Sequence, residues 1–140
     1  MYTVTVRTHM MIAHSLPDPF FGPAAKMHGA TYVVDLEFSS ATLDSHNVVI
    51  DIGAADEAAR EIVGALNYQN LDALEQFAGV ITTTEYLAKY VHDCVSARLK
   101  GVFAGGLKVT LQESHVASAG YAAVIPQRTS PATSPDGSLE

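Results

Sequence analysis

The chain has 140 residues, with 8 lysines and arginines, 15 aspartates and glutamates, six histidines and one cysteine, and its formal net charge is −7. A single cysteine excludes a disulfide scaffold and a cysteine-rich zinc module. The acidic balance argues against nucleic acid and membranes as partners. Since the sequence has neither a long apolar run nor a signal-peptide pattern, we expect a cytoplasmic protein.

Two strands are predicted in the first 40 residues, because apolar and polar residues alternate there. The first runs from Tyr2 toward His14, and a proline-rich loop from Pro17 to Pro23 follows it. The apolar positions of the two strands are Tyr2, Val4 and Val6, then Tyr32, Val34, Leu36 and Phe38.

Two helices are predicted in the middle of the chain from apolar residues at three- and four-residue spacing. Their apolar stripes are Ala58, Ala59, Ile62, Val63 and Leu66, then Leu87, Tyr90, Val91, Cys94 and Val95. The spacing of Thr82 and Glu85 is that of a capping box, which predicts that the second helix begins near Thr82. Gly101 is the expected stop signal.

Two further strands are predicted at residues 107–111 and 121–125, after the helices. The order ββααββ indicates an α+β domain over residues 1–125, with a four-stranded antiparallel sheet and two helices on one face. Residues 126–140 are rich in proline and serine, and we expect a disordered tail. The two exposed edges of such a sheet favour self-association.

Two histidines are candidate metal ligands or pocket residues. His14, near the end of the first strand, could face His28 across the hairpin, while Ala30 shares a strand face with His28. A catalytic zinc normally has three protein ligands. The chain offers two imidazoles and a methyl group here. This favours the interpretation that His14 and His28 are hydrogen-bonded pocket residues without a metal, unless an oxygen ligand comes from elsewhere in the chain.

Glu113 is the next position on the face that carries Leu107, Val109 and Leu111. A carboxylate on a core face is costly unless it meets a cation or strong donors. A ligand with a paired N–H edge would satisfy both of its oxygens. The alternative is a glutamate at a strand end that turns to solvent or pairs with an arginine. The other histidines are weaker candidates, and we expect His9, His46 and His92 at the surface.

Five short motifs resemble, in order, those of the 6-pyruvoyltetrahydropterin synthase family, which includes the bacterial 6-carboxytetrahydropterin synthases. They are IAHSL at 12–16, HGATY at 28–32, LNYQNLD at 66–72, TTEYLA at 83–88, and Glu113 with Tyr121. The resemblance covers most of residues 2–125. It implies the tunnelling fold, in which subunit sheets assemble into a barrel. It also implies a homohexamer of two stacked trimers with pterin sites at subunit interfaces.

Departures from the family pattern bear on catalysis. The resemblance implies a zinc site of three histidines, of which His14 and His28 match two and Ala30 replaces the third. The family's catalytic cysteine is missing before His28, and Asn67 and Tyr68 replace an Asp-His pair. Zinc and proton-transfer groups are needed for the elimination and tautomerisation, so we expect no synthase activity. Tyr68 is the one candidate acid–base replacement, although phenols ordinarily ionise well above neutral pH.

The residues that match the ligand-binding residues of the family are retained in this sequence. By resemblance, Glu113 clamps the 2-amino and ring N–H edge of a pterin, Thr83 and Thr84 support the ring, and His14, His28 and Tyr68 line the pocket. Three hypotheses follow. The first is a homohexameric protein that binds a pterin-like heterocycle without a cofactor. The second is an active lyase that uses Tyr68 and a zinc ion held by the two histidines and a further ligand. The third is a structural subunit with no ligand.

Overall fold

The strands form one antiparallel sheet in the order β1-β2-β3-β4. The computed structural model describes residues 1–127 and contains β1 (Tyr2–His14), β2 (His28–Ser40), α1 (Ile52–Gly64), α2 (Thr84–Leu99), β3 (Gly105–Gln112) and β4 (Ser118–Ile125). Both helices pack on one face of the sheet, α1 against β1 and α2 against β3 and β4. The predicted α+β class and element order are confirmed. Most of the predicted tail, residues 128–140, lies outside the described residues.

Alternation along the strands builds the core. In β2 the side chains of Tyr32, Val34, Leu36 and Phe38 are buried, and the last three of these pair with Leu111, Val109 and Leu107 of β3. Burying one such side chain contributes about 1.5–3 kcal/mol, so this face holds the sheet against the helices. The odd-numbered positions of β2 point away from the helices, as the sequence pattern predicts.

Helix α1 begins at an aspartate cap. The carboxylate of Asp51 accepts hydrogen bonds from the backbone N–H groups of Gly53 and Ala54, which have no partner within the helix. Its buried stripe is Ala55, Ala58, Ala59 and Val63. The helix ends at Gly64, so Leu66 is buried just beyond it rather than within it.

Helix α2 begins one residue later than the capping box predicts. Thr83 is the N-cap, and its hydroxyl accepts a hydrogen bond from the backbone N–H of Tyr86 at 3.1 Å. Thr82 is instead buried, where its hydroxyl hydrogen-bonds with His14. The predicted capping box is therefore wrong. The predicted stop is confirmed, because Gly101 follows the helix end with φ of +83°. Within residues 1–127 neither helix has the length and apolar character needed to cross a membrane.

His92 is buried, with 3% of its surface exposed, so the expectation of a surface position is wrong. Its Nε2 donates a hydrogen bond to the backbone carbonyl of Ala123 on β4 at 3.2 Å, and its Nδ1 contacts Asp93. The ring meets Tyr121 edge-on. The face of α2 that carries His92 is covered by β4, which is distant in sequence. His9 and His46 are exposed, as predicted.

Candidate functional site

Most candidate site residues lie at one end of the sheet, where β1 ends, β2 begins and β3 ends. The hairpin register pairs His14 with His28 directly, and Val33 pairs with Gln112, the last residue of β3. The segment 82–85, which leads into α2, crosses the same end. Local strand pairing therefore brings a histidine pair and a carboxylate pocket close to one helix start.

The histidine pair is tightly held. The ring centroids of His14 and His28 are 4.6 Å apart in an edge-to-face arrangement. Nδ1 of His14 hydrogen-bonds with the Thr82 hydroxyl at 2.9 Å, and Nδ1 of His28 donates to the carbonyl oxygen of Lys26 at 2.8 Å. Burial lowers the pKa of His14, and the neighbouring His28 lowers it further. His14 is therefore a neutral imidazole at pH 7.

A pocket of about 460 Å³ lies beside the end of β3, and two acidic residues, Glu113 and Glu85, are part of its lining. Thr84 and residues 117–120 complete its lining. Because β3 ends at Gln112, Glu113 does not continue the core face as the alternation predicts, but lies exposed in the turn that follows. Its backbone N–H donates to the carbonyl of Ala117 at 3.0 Å. The turn thus presents the carboxylate at the mouth of the pocket.

Neither pocket carboxylate is neutralised by a cation within residues 1–127. The ion pairs found there join Arg7 to Asp35, Arg60 to Asp56, Lys89 and His92 to Asp93, and Arg98 to Glu61. The alternative in which Glu113 pairs with an arginine therefore has no support in this part of the chain. Two carboxylates without a cation can accept hydrogen bonds from a donor-rich ligand.

Tyr32 and Glu85 are site residues that the sequence did not single out. The Tyr32 hydroxyl hydrogen-bonds with the Thr84 hydroxyl at 3.5 Å beneath the pocket. Burial raises the pKa of Tyr32, and the nearby carboxylates of Glu113 and Glu85 act in the same direction. The available signals were the inward position of Tyr32 on β2 and the place of Glu85 in the first turn of α2.

Three consecutive threonines connect the two parts of the site. Thr82 hydrogen-bonds with His14, Thr83 caps α2, and Thr84 lines the carboxylate pocket. The predicted ligand residues Thr83 and Thr84 thus lie where α2 begins. A short, capped segment fixes the pocket relative to the histidine pair.

Tyr68 lies apart from these residues. Its side chain is 78% exposed, and its backbone has a φ of +61°, in the left-handed region. Its N–H donates to the carbonyl of Met11 at 2.7 Å, and the Asn67 side chain accepts from the N–H of Met11. These contacts place Tyr68 beside the outer edge of β1, whereas Glu113 follows β3. Within one chain, Tyr68 does not line the Glu113 pocket.

The sequence profile described as 6-pyruvoyl tetrahydropterin synthase matches residues 3–123 of the chain. The chain belongs to the 6-pyruvoyl tetrahydropterin synthase family. No curated protein matches the sequence significantly. The match confirms the family that the five motifs indicate.

Solved structures show the same fold. The Caenorhabditis elegans 6-pyruvoyl tetrahydropterin synthase superposes with a TM-score of 0.76 at 20% identity, covering 87% of this chain and 95% of that one. The Plasmodium falciparum 6-pyruvoyl tetrahydropterin synthase gives 0.68 at 16% identity, with 88% and 98% covered. An uncharacterized Wolinella succinogenes protein gives 0.64 at 15% identity, with 86% and 97% covered. The predicted tunnelling fold is confirmed for the single subunit.

The zinc ion implied by the family resemblance does not fit the donor set of this chain. Within residues 1–127 no group of three or more His, Cys, Asp or Glu side chains is placed to hold a metal. His14 and His28 supply two imidazoles, and Ala30 supplies a methyl group two residues after His28. The Asp72 carboxylate is engaged by the N–H and hydroxyl of Ser15. A catalytic zinc site normally has three protein ligands, and within residues 1–127 no third ligand is placed beside the two histidines.

Proposed function

We propose that this protein binds a pterin-like heterocycle through Glu113 and does not carry out the synthase reaction. The observation that carries the proposal is the Glu113 carboxylate, exposed at a 460 Å³ pocket and without a cationic partner in residues 1–127. A carboxylate can accept two parallel hydrogen bonds from the 2-amino group and ring N–H of a pterin. The membership of the chain in the family supports the choice of ligand.

Glu85 and Thr84 extend the recognition surface. Glu85 adds a second carboxylate to the pocket, and Thr84 adds a hydroxyl held by Tyr32. Such a set favours a ligand with several N–H or O–H donors and disfavours an anionic one. His14 and His28 lie at the same end of the sheet, where their ring nitrogens can hydrogen-bond with polar substituents of the heterocycle. Thr83 contributes by fixing the start of α2.

The protein acts in this proposal as a homohexamer and without a cofactor. Support for self-association comes from the two edge strands of the sheet, β1 and β4. Assembly would also bring Tyr68, which is remote from Glu113 within one chain, to the pocket of a neighbouring subunit. The open pocket beside Glu113 argues against a purely structural subunit.

The residues of the candidate site do not supply the groups that proton transfer requires. The synthase chemistry needs a metal to polarise the substrate and groups that exchange protons near neutral pH. Tyr68 is exposed at the β1 edge, and Cys94 lies on α2 beside Tyr90, where burial raises the pKa of its thiol. Neither side chain lies at the histidine pair. Binding without turnover is therefore the expected behaviour.

Isothermal titration calorimetry with neopterin, biopterin and guanine tests the assignment. We expect saturable binding that Glu113→Gln weakens roughly 10- to 100-fold, because the amide loses the charge and repels a donor edge. Lumazine, which carries an oxygen in place of the 2-amino group, should bind the unaltered protein more weakly than the pterins. Glu57→Gln, an exposed glutamate on α1, is the matched control and should bind normally.

The same titrations identify the alternatives. Unchanged binding in Glu113→Gln would contradict the anchoring role of this residue. No binding of any heterocycle would favour a structural subunit. Stoichiometric zinc in the purified protein together with turnover of dihydroneopterin triphosphate would establish the second hypothesis, a lyase that uses Tyr68 and a metal on His14 and His28.

A further inference from the structure

A groove of about 730 Å³ opens beside the start of β1, at the end of the sheet opposite the histidine pair. Its apolar lining includes Tyr2, Val4, Leu43, Val48, Ile50 and Ile52. Tyr2 and Ile52 are 51% and 62% exposed, although both side chains are large and apolar. The Glu113 pocket is lined by other residues, so the groove is a separate surface. Contiguous exposed apolar surface of this kind is typical of a binding site.

The polar part of the groove is held in place by backbone hydrogen bonds. The Asp44 carboxylate accepts from the N–H groups of His46 and Val48, at 2.8 and 3.3 Å. The side chains of Tyr2, His46 and Asn47 are exposed along the groove and can donate hydrogen bonds. An aromatic ring beside such donors suits a proline-rich segment, because a polyproline helix leaves its own carbonyl groups without partners.

The chain carries a proline-rich segment after Gln127. Residues 128–140 read RTSPATSPDGSLE, and the apolar residues among them are Pro131, Ala132, Pro135 and Leu139. The segment lies beyond the part of the chain that the family profile matches, which ends at residue 123. Its few apolar side chains cannot form a core of their own, so they can be buried only against another surface.

This segment starts at the end of the sheet where the groove opens. The register aligns Thr3, Ser39, Gly106 and Val124 across the four strands, so β4 ends level with the start of β1. Three strand spacings separate β4 from β1, which is about 14 Å. The 13 residues that follow Gln127 can span about 40 Å as a polyproline helix. The segment is therefore long enough to reach the groove and to lie along it.

We propose that the groove binds residues 131–139 of its own chain, with the prolines and Leu139 against the apolar lining. A segment tethered this closely has a millimolar effective concentration at the groove, so a small apolar contact is enough to keep it bound. A separate protein would have to bind without this advantage. The proposal goes beyond the heterocycle site and does not depend on it.

Quenching of tryptophan fluorescence by acrylamide tests the contact in the full-length protein, because the sequence contains no tryptophan. Leu139→Trp places the only tryptophan in the segment. Its quenching constant should be roughly two- to fivefold lower than in a chain that also carries Ile52→Asp, which puts a charge in the groove. Val116→Asp, at a valine that is 79% exposed at the other end of the sheet, is the matched control and should leave the tryptophan shielded. Far-ultraviolet circular dichroism checks that each variant is folded.

Tyr2→Trp reports on the same contact from the groove. Adding Leu139→Asp to this variant should make the tryptophan more accessible to acrylamide, because a charged side chain no longer packs on the apolar lining. Val116→Asp should again have no effect. If both reporters gave the same quenching constants with and without the charged substitutions, the proposal would be overturned.

A mixing experiment identifies the chain that supplies the segment. Protein with both Leu139→Trp and Ile52→Asp is refolded from urea with an excess of unaltered protein, which has an intact groove and no tryptophan. A segment that binds only its own groove stays accessible in this mixture. Shielding in the mixture would show binding to a neighbouring copy and would overturn the assignment to the same chain. Neopterin binding, measured by calorimetry, should be the same in Ile52→Asp and in the unaltered protein, so the Glu113 site is judged separately.

Discussion

The methyl group of Ala30 stands two residues after His28 on the same face of β2, beside a pair of imidazoles that already touch. Residues two apart on a strand project side by side, so a histidine here would point toward His14 and His28. Each existing ring uses its Nδ1 in a hydrogen bond and has its Nε2 left for other contacts. A single substitution at position 30 could thus supply a third imidazole beside the histidine pair.

Ala30→His should restore a three-histidine zinc site. We expect the variant to retain roughly one zinc ion per subunit after dialysis against a weak chelator, while the unaltered protein retains far less. Thr31→His is the control, because that residue faces the other side of the sheet. Metal content measured by inductively coupled plasma mass spectrometry checks the result. Equal zinc content in all three proteins would show that the histidines do not form the remnant of a site.

His14 should make stability depend on pH. Burial and His28 lower its pKa in the folded protein, so the unfolded chain binds the proton more readily. Above the pKa of histidine in the unfolded chain, about 6.5, the neutral His14 costs no stability. As the pH falls below this value, the free energy of unfolding decreases by at most about 1.4 kcal/mol per pH unit. Urea unfolding between pH 7 and 5 should show a smaller decrease in the free energy of unfolding for His14→Gln than for the unaltered protein. His46→Gln, at an exposed position, should keep the slope of the unaltered protein.

At the scale of elements, His92 joins α2 to the edge strand β4. It is buried, donates to the carbonyl of Ala123, and packs its ring against Tyr121 at 4.8 Å. Lys89, one turn earlier, places its ammonium group over the Tyr121 ring and pairs with Asp93. These contacts tie the strand to the helix layer where the sheet has no further strand to support it.

His92→Ala should lower the free energy of unfolding by about 2 kcal/mol, because the substitution removes a buried hydrogen bond and leaves a void beside Tyr121. Hydrogen exchange should increase most in β4. His115→Ala, at an exposed turn position, should change stability by less than about 0.5 kcal/mol. If urea denaturation gave the same midpoint for both variants, the contacts of His92 with β4 would not stabilise the fold.

Local patterns predicted the elements well, and long-range contacts account for the differences. Strict alternation fixed β1 and β2, and the hairpin register alone brings His14 to His28. The spacing of Thr82 to Glu85 predicts a helix cap, yet the Thr82 hydroxyl hydrogen-bonds with His14, which is 68 residues away in the chain. His92 was expected at the surface because the strand that covers it comes about 30 residues later. Local spacing carries no information about either partner.

For the site too, local patterns predicted some features and long-range contacts determined the rest. Glu113 was singled out as a carboxylate in an apolar pattern, but the end of β3 at Gln112 decides that it faces a pocket and not the core. Glu85 joins it only because α2 begins beside that strand end. Tyr68, grouped with the pocket by motif, is held at the opposite edge of the sheet by Met11. Motif order identified the family, while the distances between site residues required the fold.

Over the whole molecule, the candidate site and the largest apolar groove described above lie at opposite ends of the sheet. The histidine pair and the Glu113 pocket lie at one end, and the apolar groove with the start of β1 lies at the other. The net charge of −7 does not itself select a ligand, whereas Glu113 and Glu85, which have no cationic partner within residues 1–127, are the basis of the proposed preference for a donor-rich ligand. We propose that the fold recognises a donor-rich heterocycle without a third metal ligand at the histidine pair.

The most direct test is a calorimetric titration of neopterin into protein freed of metal by a strong chelator, repeated after adding one equivalent of zinc. Recognition through Glu113 needs no metal, so we expect saturable binding of one ligand per subunit with the same affinity in both titrations. Binding that appears only after zinc is added would contradict it.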